Sequence, residues 1–344
     1  MKKKKIFATA MIVFSVMLSS FTFYAYQIFF TANIQVGKEA RLFTIYPTST
    51  FKEIQNRLYD EQIVTDLVAF SFIARIKDYD KYIKPGVYNL KADMSNLEAV
   101  NLLRSGKQTP VRLTFNNARR IEKLAAKLTA NIALDSATLL PYLTSDSIAR
   151  SYGFDSLNFI SMFLPNTYQV YWTISANELL DRMKTEYENF WSEERRAKAA
   201  KAGLTAKEVS TLASIVDWET NVMEETPSIA GVYINRLKRG IPLQADPTLV
   251  FALNDFTIRR VLNRHKAIDS PYNTYKYKGL PPGPVMLPSI TAIEGVLNYK
   301  EHKYLYFCAN PDFSGTHLFA RTLTEHNRNA AGFQRALNRQ RIYK

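Results

Sequence analysis

The sequence is poor in the residues that cross-link a chain or hold a metal. Cys308 is the only cysteine among 344 residues, so an intramolecular disulfide and a cysteine-based metal cluster are both excluded. The four histidines show neither H-x-x-x-H nor H-E-x-x-H spacing, which makes a metal site the weakest functional alternative; they are His265, His302, His317 and His326. We therefore expect no metal and no other cofactor, and a fold that rests on its hydrophobic cores.

Acidic residues are also in short supply. The chain has 31 Asp and Glu against 45 Lys and Arg, a formal net charge of +14, which predicts attraction to anionic lipid headgroups, acidic wall polymers or nucleic acid. The basic residues are dispersed and no recognised motif accompanies them, so nucleic-acid binding is disfavoured. Apolar residues make up 47% of the chain, enough for a sizeable core and, at this length, for two or more compact units.

The first thirty residues predict a membrane anchor. Four lysines at positions 2–5 precede an apolar segment at 6–30, which as a helix would extend ~37 Å and cross ~30 Å of hydrocarbon. The positive-inside rule predicts a cytoplasmic tail at 1–5 and an extracytoplasmic remainder, on a single pass through the cytoplasmic (inner) membrane. A cleaved signal peptide is the alternative, but bulky Tyr24, Tyr26 and Phe30 stand where small cleavage-site residues belong.

The rest of the chain predicts an α+β fold. Strand-like runs and two helices opened by capping boxes form a small α/β unit at 41–115. The region 116–203 reads as mainly helical, with a third capping box at Ser175–Glu178. The segment 204–344 is richer in Gly and Pro turns and carries the densest polar motifs, so we expect the chemistry in this mixed α+β domain. The expected strands are Leu42–Tyr46, Val87–Leu90 and Val111–Phe115, and the first two boxes are Thr50–Glu53 and Ser95–Glu98.

One glutamate lies on the apolar side of a predicted helix. A fourth capping box, Thr205–Glu208, opens a helix that should run to Thr220. At ~100° per residue, Glu219 projects within ~20° of Leu212, whereas Asp217 projects about 140° away from it. The expected apolar stripe consists of Val209, Leu212, Val216 and Met223. Glu219 is therefore expected to point into the core or a cleft.

A carboxyl group among apolar side chains has its charged form disfavoured, so its pKa rises and it can hold a proton near neutral pH. That property suits a general acid. Two structural alternatives stay open on spacing alone: Glu219 is buried and satisfied by Arg or backbone donors, or the helix is rotated and Glu219 is exposed.

Five motif blocks follow one another in the second half of the chain. They are Ala213-Ser-Ile-Val-Asp-Trp-Glu-Thr220, Val232-Tyr-Ile-Asn-Arg-Leu237, Leu243-Gln-Ala-Asp-Pro-Thr248, Ser270-Pro-Tyr-Asn-Thr-Tyr275 with Gly279-Leu-Pro-Pro-Gly283, and His326-Asn327. In the same order, they resemble the endolytic murein transglycosylase (YceG-like) family. The family's catalytic glutamate is the second acid of E-x-E-[TA], which corresponds to Glu219; the first acid is Asp217 here. Asn166 replaces the usual Asp of F-P-D-T-Y, and Gly315–Phe319 departs from G-G-H-T-F.

The resemblance implies a membrane-anchored lyase that cleaves nascent peptidoglycan. It would break the β-1,4 bond between N-acetylmuramic acid and N-acetylglucosamine without water, leave 1,6-anhydromuramoyl ends and terminate strand elongation. Glu219 would act first as acid and then as base. The unit at 41–115 would be a LysM-like glycan-binding module, and proteins of wall synthesis would be partners.

Seven residues are candidates for holding the glycan, because their amide, carboxylate, imidazole and phenol groups can hydrogen-bond sugar hydroxyls and acetamido groups. They are Asn235, Gln244, Asp246, Tyr272, Asn273, Tyr275 and His317. Asp246 could instead pair with Arg236 as a structural brace. Two other functions stay open: a glycoside hydrolase that uses water with Glu219 and Asp246 as a carboxylate pair, and a membrane-tethered wall-binding scaffold without turnover.

Overall fold

The computed structural model describes residues 2–37, 40–258 and 260–340, and these form two compact units. The first unit extends to Arg112 and also includes Asn131–Ala133 and Gln169–Ile174. The second consists of Leu113–Ala130, Leu134–Tyr168 and the chain from Ser175 onward. The mixture of helices and short two-stranded sheets confirms the predicted α+β class.

The first unit combines four helices with a small antiparallel sheet. In that sheet Phe43 lies opposite Tyr88, and both rings are buried, as is Ile45, while Leu42 is exposed. This period-two alternation places one face of the sheet in the core. The elements are α1 (Lys2–Phe30), β1 (Arg41–Ile45), α2 (Phe51–Asp60), α3 (Leu67–Ile76), β2 (Gly86–Leu90) and α4 (Asn96–Ser105).

The predicted apolar N-terminal helix is present as α1, which is long and apolar enough to cross a membrane. Its last turn belongs to the core of the first unit, because Ile28 and Phe29 pack against that core. The amide of Asn96 also donates to the carbonyl of Ile28 at 3.0 Å. The end of α1 is therefore fixed to the unit that follows it.

Most of the remaining elements lie in the second unit. Their strands form two more two-stranded sheets, β3 with β4 and β5 with β6. All four predicted capping boxes are confirmed, with both reciprocal hydrogen bonds present at each. The elements are β3 (Val111–Phe115), α5 (Ile121–Leu128), α6 (Ser136–Thr144), α7 (Asp146–Ser151), β4 (Asn166–Val170), α8 (Ala176–Phe190), α9 (Glu193–Ala202), α10 (Ala206–Glu219), α11 (Thr226–Lys238), α12 (Asp246–Leu253), α13 (Ile290–Leu297), β5 (Tyr306–Ala309), β6 (His317–Ala320) and α14 (Leu323–Arg339).

Helix α10 is the centre of the second unit, where it packs against α9, α11, α12 and α13. Every residue from Val209 to Val216 is buried. Two polar side chains fix the segments around it. The hydroxyl of Ser214 accepts from the amide of Val285 at 3.0 Å, and the carboxylate of Asp217 accepts from the amide and hydroxyl of Ser289 at 2.9 and 2.8 Å. Because Ser289 is the N-cap of α13, Asp217 has a structural role.

Two predictions made from the sequence for α10 are wrong. The helix ends at Glu219, and Met223 is 63% exposed instead of continuing the apolar stripe. Thr220 is extended, and its hydroxyl accepts from the amide of Val222 at 2.9 Å, which offers the backbone an alternative to the helix. The region 116–203 contains, besides its helices, the strand β4, in which Tyr168 and Val170 alternate with more exposed residues.

Replacing Asp217 by alanine should destabilise the second unit. The change leaves both donors of Ser289 without their acceptor, at a cost of about 1–3 kcal/mol. Asp217→Asn keeps one acceptor oxygen and should lose less. Urea unfolding followed by tryptophan fluorescence measures the difference, and equal midpoints for Asp217→Ala and the unmodified chain would show that the bond to Ser289 is dispensable.

Candidate active site

Glu219 occupies the C-terminal end of α10 and is half-buried. The phenol of Tyr233 donates a hydrogen bond to its Oε1 at 2.9 Å. Burial raises the pKa of Glu219 to about 7, the negative charge of Asp246 acts in the same direction, and the bond from Tyr233 opposes both. At neutral pH this carboxyl group is therefore divided between its protonated and ionised forms.

Tyr233 and Arg236 lie one turn apart on α11, so both project from the same face of that helix. Tyr233 is buried, and this burial together with the nearby Glu219 raises the pKa of its phenol well above the ordinary value. The O–H of Tyr233 therefore stays protonated and remains a donor to Glu219. Its ring also packs edge-on against Phe307, with centroids 5.8 Å apart.

Arg236 is buried and hydrogen-bonds to neutral oxygens. Its guanidinium donates to the carbonyls of Leu305 at 2.6 Å and Leu243 at 2.8 Å, and to Oε1 of Gln244 at 3.3 Å. It also lies 5.0 Å from the ring centroid of Tyr306. Burial lowers the pKa of Arg236 from its usual value. These bonds join three chain segments that form the walls around Glu219.

Asp246, Gln244 and Tyr275 lie on the same side of this site. The phenol of Tyr275 donates to the carboxylate of Asp246, so the brace between Asp246 and Arg236 considered above is absent. Gln244 is exposed and has a φ of 52°, a conformation that is rare for a residue with a side chain. The backbone N–H of Gln244 donates to the carbonyl of Thr274 at 3.0 Å. This bond joins the segment around Asp246 to the segment around Tyr275.

These side chains surround a pocket of about 300 Å³. His326 lies in its wall, with its ring stacked on Tyr306 at a centroid distance of 5.4 Å. Burial and the positive charge of Arg236 lower the pKa of His326, so its imidazole is neutral at pH 7. The pocket is lined by Glu219, Tyr233, Arg236, Leu243, Gln244, Asp246, Tyr275, Tyr306, Phe307, Leu323 and His326.

Four of the eight residues selected from the sequence line this pocket, namely Glu219, Gln244, Asp246 and Tyr275. The other four lie outside the lining. Asn235 uses its amide to hold the carbonyls of residues 302 and 304, and Tyr272 is buried with its ring 4.6 Å from that of Phe251.

Asn273 and His317 are also occupied elsewhere. Asn273 is fully buried and donates to the carbonyls of Lys266 and Ile268. His317 bonds to Glu225 at 2.9 Å and reaches the pocket only through ring contact with Phe307.

Several pocket residues were not among the site residues predicted from the sequence. Tyr233 and Arg236 could have been found, since both belong to the block Val232–Leu237 and share one helical face. Tyr306, Phe307 and Leu323 carry no comparable signal, because β5 meets α11, and α14 meets β5, only in the folded chain. His326 belongs to the motif His326-Asn327, but its spacing in the sequence does not predict a position beside Glu219.

In this fold, a carboxyl group with a near-neutral pKa faces a polar pocket with aromatic walls. Comparison with known families shows the class of protein to which this fold belongs. A family model described as the YceG-like family matches residues 43–332. The chain belongs to the YceG-like family.

Named relatives agree with this assignment. The endolytic murein transglycosylase of Streptococcus pneumoniae serotype 2 (strain D39) is 29% identical over 365 residues, which cover 95% of this chain and 65% of that protein. The endolytic murein transglycosylase of Bacillus subtilis (strain 168) is 37% identical over 140 residues, 41% of this chain and 38% of that protein. The present chain thus spans about 65% of the length of its pneumococcal relative.

A solved structure is similar as well. The crystal structure of a yceG-like protein from Listeria monocytogenes superimposes with a TM-score of 0.54 and 27% sequence identity. The match covers 85% of this chain and 99% of that one. The similarity therefore extends over most of the fold.

The raised pKa of Glu219 predicts a pH-dependent stability difference between the unmodified chain and Glu219→Gln. The pKa is about 7 in the folded chain and about 4.5 when unfolded, so the unfolded state loses its proton first as pH rises. The contribution of Glu219 to stability is complete below pH 4.5 and should fall by about 1–3 kcal/mol by pH 7, then stay level. Urea unfolding of both proteins from pH 4 to 8 measures it, and a constant difference would contradict the raised pKa.

Proposed function

We propose that this chain is a peptidoglycan lytic transglycosylase whose single catalytic acid and base is Glu219. The observation that carries the proposal is the carboxyl group with a pKa near 7, held by Tyr233 at the edge of a polar pocket. A group with that pKa can give up a proton and take one back at neutral pH. Membership of the YceG-like family and the names of its relatives support the substrate class.

In the proposed reaction, protonated Glu219 gives its proton to the oxygen that links N-acetylmuramic acid to N-acetylglucosamine. The bond from that oxygen to C1 of the muramic acid breaks, and the C6 hydroxyl of the same sugar forms a new bond to C1. Glu219, now ionised, takes the proton of that hydroxyl and returns to its starting form. The products are a free hydroxyl on one sugar and a 1,6-anhydro end on the other, with no water consumed.

The remaining pocket residues are proposed to bind and orient the glycan. Gln244 and Asp246 are exposed at the rim and can hydrogen-bond hydroxyl and acetamido groups. Tyr275 and Tyr306 also line the pocket, where their phenol groups can hydrogen-bond the sugars. His326 is neutral at pH 7, so it can hydrogen-bond without placing a second positive charge beside Arg236. The candidates Asn235 and Asn273 are proposed to act by holding the backbone around the pocket. Tyr272 and His317 are proposed to support it through their contacts with Phe251 and Glu225.

The proposal extends to the membrane. We propose that α1 is an uncleaved anchor, with the lysines at 2–5 in the cytoplasm and the second unit outside the cytoplasmic membrane. Cleavage of α1 would strip Ile28 and Phe29 from the core of the first unit and remove the carbonyl that Asn96 holds, which favours an anchor over a signal peptide. We also propose that the segment 41–115 is a LysM-like glycan-binding unit, and that proteins of wall synthesis are partners.

A two-carboxylate glycoside hydrolase is the second candidate, because Asp246 lines the same pocket and its charge raises the pKa of Glu219. In that mechanism a water molecule is consumed, and its oxygen becomes bonded to C1 of the cleaved sugar. Mass spectrometry of the products distinguishes the two reactions: reducing ends indicate hydrolysis, and anhydro ends indicate the lyase.

The replacement Glu219→Gln should abolish the formation of anhydro ends while the protein stays folded, because an amide of the same shape can neither give nor take the proton. We expect a loss of at least about 10²–10⁴-fold in the rate of strand cleavage. Muropeptides released from purified glycan strands by the full chain in detergent give the measurement. The matched control is Glu188→Gln, which changes an exposed glutamate of α8 paired with Lys184. Anhydro ends formed by Glu219→Gln at the control's rate would refute the role of Glu219.

The pH dependence of cleavage should report the proton of Glu219. As pH rises through about 7, the fraction of free enzyme with a protonated acid falls, and kcat/KM should fall with it. Tyr233→Phe removes a hydrogen bond that lowers this pKa, so the alkaline limb of the profile should move to higher pH. A limb that stays in place, or moves to lower pH, would mean that Tyr233 does not stabilise the ionised form of Glu219.

A further inference from the structure

Helix α3 is apolar on two opposite faces. Only Ser71 and Arg75 are polar among its ten residues. One face is packed in the core of the first unit, where the buried residues are Ala69, Phe70, Ile73 and Ala74. A surface helix of a water-soluble protein normally turns polar residues outward, and a helix that is apolar all round is usually covered on all sides.

The outward face of α3 is a continuous apolar stripe. Val68, Phe72 and Ile76 are exposed to 79%, 50% and 50%, and their spacing of four residues places them within about 80° of one another on the helix. Arg75 is also exposed and projects within about 20° of Val68. Among the described residues of the first unit, none covers these three large apolar side chains and the arginine at their edge.

The start of α3 is fixed beside the end of α1. Asp66 is the N-cap of α3, and its amide donates to Oδ1 of Asn33 at 2.7 Å, while Nδ2 of Asn33 donates to the carbonyl of Asp66 at 2.9 Å. Asn33 lies three residues beyond the end of α1, and Asn96 bonds to the carbonyl of Ile28 within the last turn. Helix α3 also packs directly against α1.

The length of α1 determines at which depth of a membrane the end of α1 and the start of α3 lie. Its 29 residues extend about 43 Å, whereas the hydrocarbon layer is about 30 Å thick and needs about 20 residues. With the lysines at 2–5 among the inner headgroups, the helix leaves the hydrocarbon near Tyr26. The last turn of α1, and with it the start of α3, then lies among the outer headgroups.

We infer that α3 is a membrane-interface helix, whose stripe of Val68, Phe72 and Ile76 enters the outer leaflet of the bilayer that α1 crosses. Interfacial helices bury an apolar face at the boundary between headgroups and acyl chains and keep basic side chains at the headgroups. Arg75 can lay its methylene chain on the apolar surface and extend its guanidinium to lipid phosphates. The inference rests on the proposed anchoring of α1 and is independent of the reaction at Glu219.

The test measures how deeply a spin label at position 72 lies in a bilayer. The full chain with Cys308→Ala is reconstituted in nanodiscs of phosphatidylcholine and phosphatidylglycerol, and a nitroxide is attached through Phe72→Cys. Collision with oxygen, which concentrates in lipid, is compared with collision with a water-soluble nickel chelate. Two labels calibrate the scale: Val16→Cys in the middle of α1 and Asn56→Cys on the exposed face of α2. Val68→Cys repeats the measurement at a second point of the stripe.

We expect the ratio of oxygen to nickel accessibility at position 72 to exceed that at position 56 severalfold and to lie below that at position 16. A ratio equal to that at position 56 would place the stripe in water and overturn the inference. A label that is immobilised and shielded from both reagents would show a protein contact with a second copy, which also overturns it. If position 16 itself behaves like position 56, the anchor fails, whereas the cleavage assay with Glu219→Gln tests the reaction separately.

Discussion

The site depends on one carboxyl group, that of Glu219, which is partly removed from water and still receives a hydrogen bond from a buried phenol. Burial alone would raise the pKa further, hold the proton on the carboxyl group and leave a weaker acid. Full hydration would return its pKa to about 4.5 and leave no proton to give at neutral pH. Burial and the charge of Asp246 raise the pKa while the O–H of Tyr233 lowers it, and the balance near 7 makes both forms accessible.

The surrounding structure maintains this balance. Helix α10 ends at Glu219 because Thr220 turns the chain away, and Asp217 ties the same helical end to the N-cap of α13. Helix α11 supplies both the donor Tyr233 and the buried Arg236. Because Arg236 bonds to neutral oxygens, its guanidinium organises the pocket walls without forming an ion pair with Glu219, which would have lowered the pKa of Glu219.

Local patterns in the sequence predicted the parts of this arrangement that local chemistry controls. The four capping boxes placed the starts of α2, α4, α8 and α10, since each box is a short-range exchange of hydrogen bonds. Periodicity put Glu219 on the buried side of its helix. The pocket walls could not be predicted in the same way, because Tyr306, Phe307 and His326 reach Glu219 through contacts between distant segments. The roles of polar residues in the five motif blocks could not be predicted either. A side-chain amide such as that of Asn235 or Asn273 can hydrogen-bond either a ligand or the protein's own backbone.

The most direct test of the central claim is a ¹³C NMR titration of the side-chain carboxyl carbon of Glu219, assigned by difference from Glu219→Gln. The account predicts a single resonance that titrates near pH 7, well above the other glutamates. A resonance for Glu219 that titrates near pH 4.5 would show an ordinary solvated carboxylate, and it would contradict the proposal that this side chain supplies the proton.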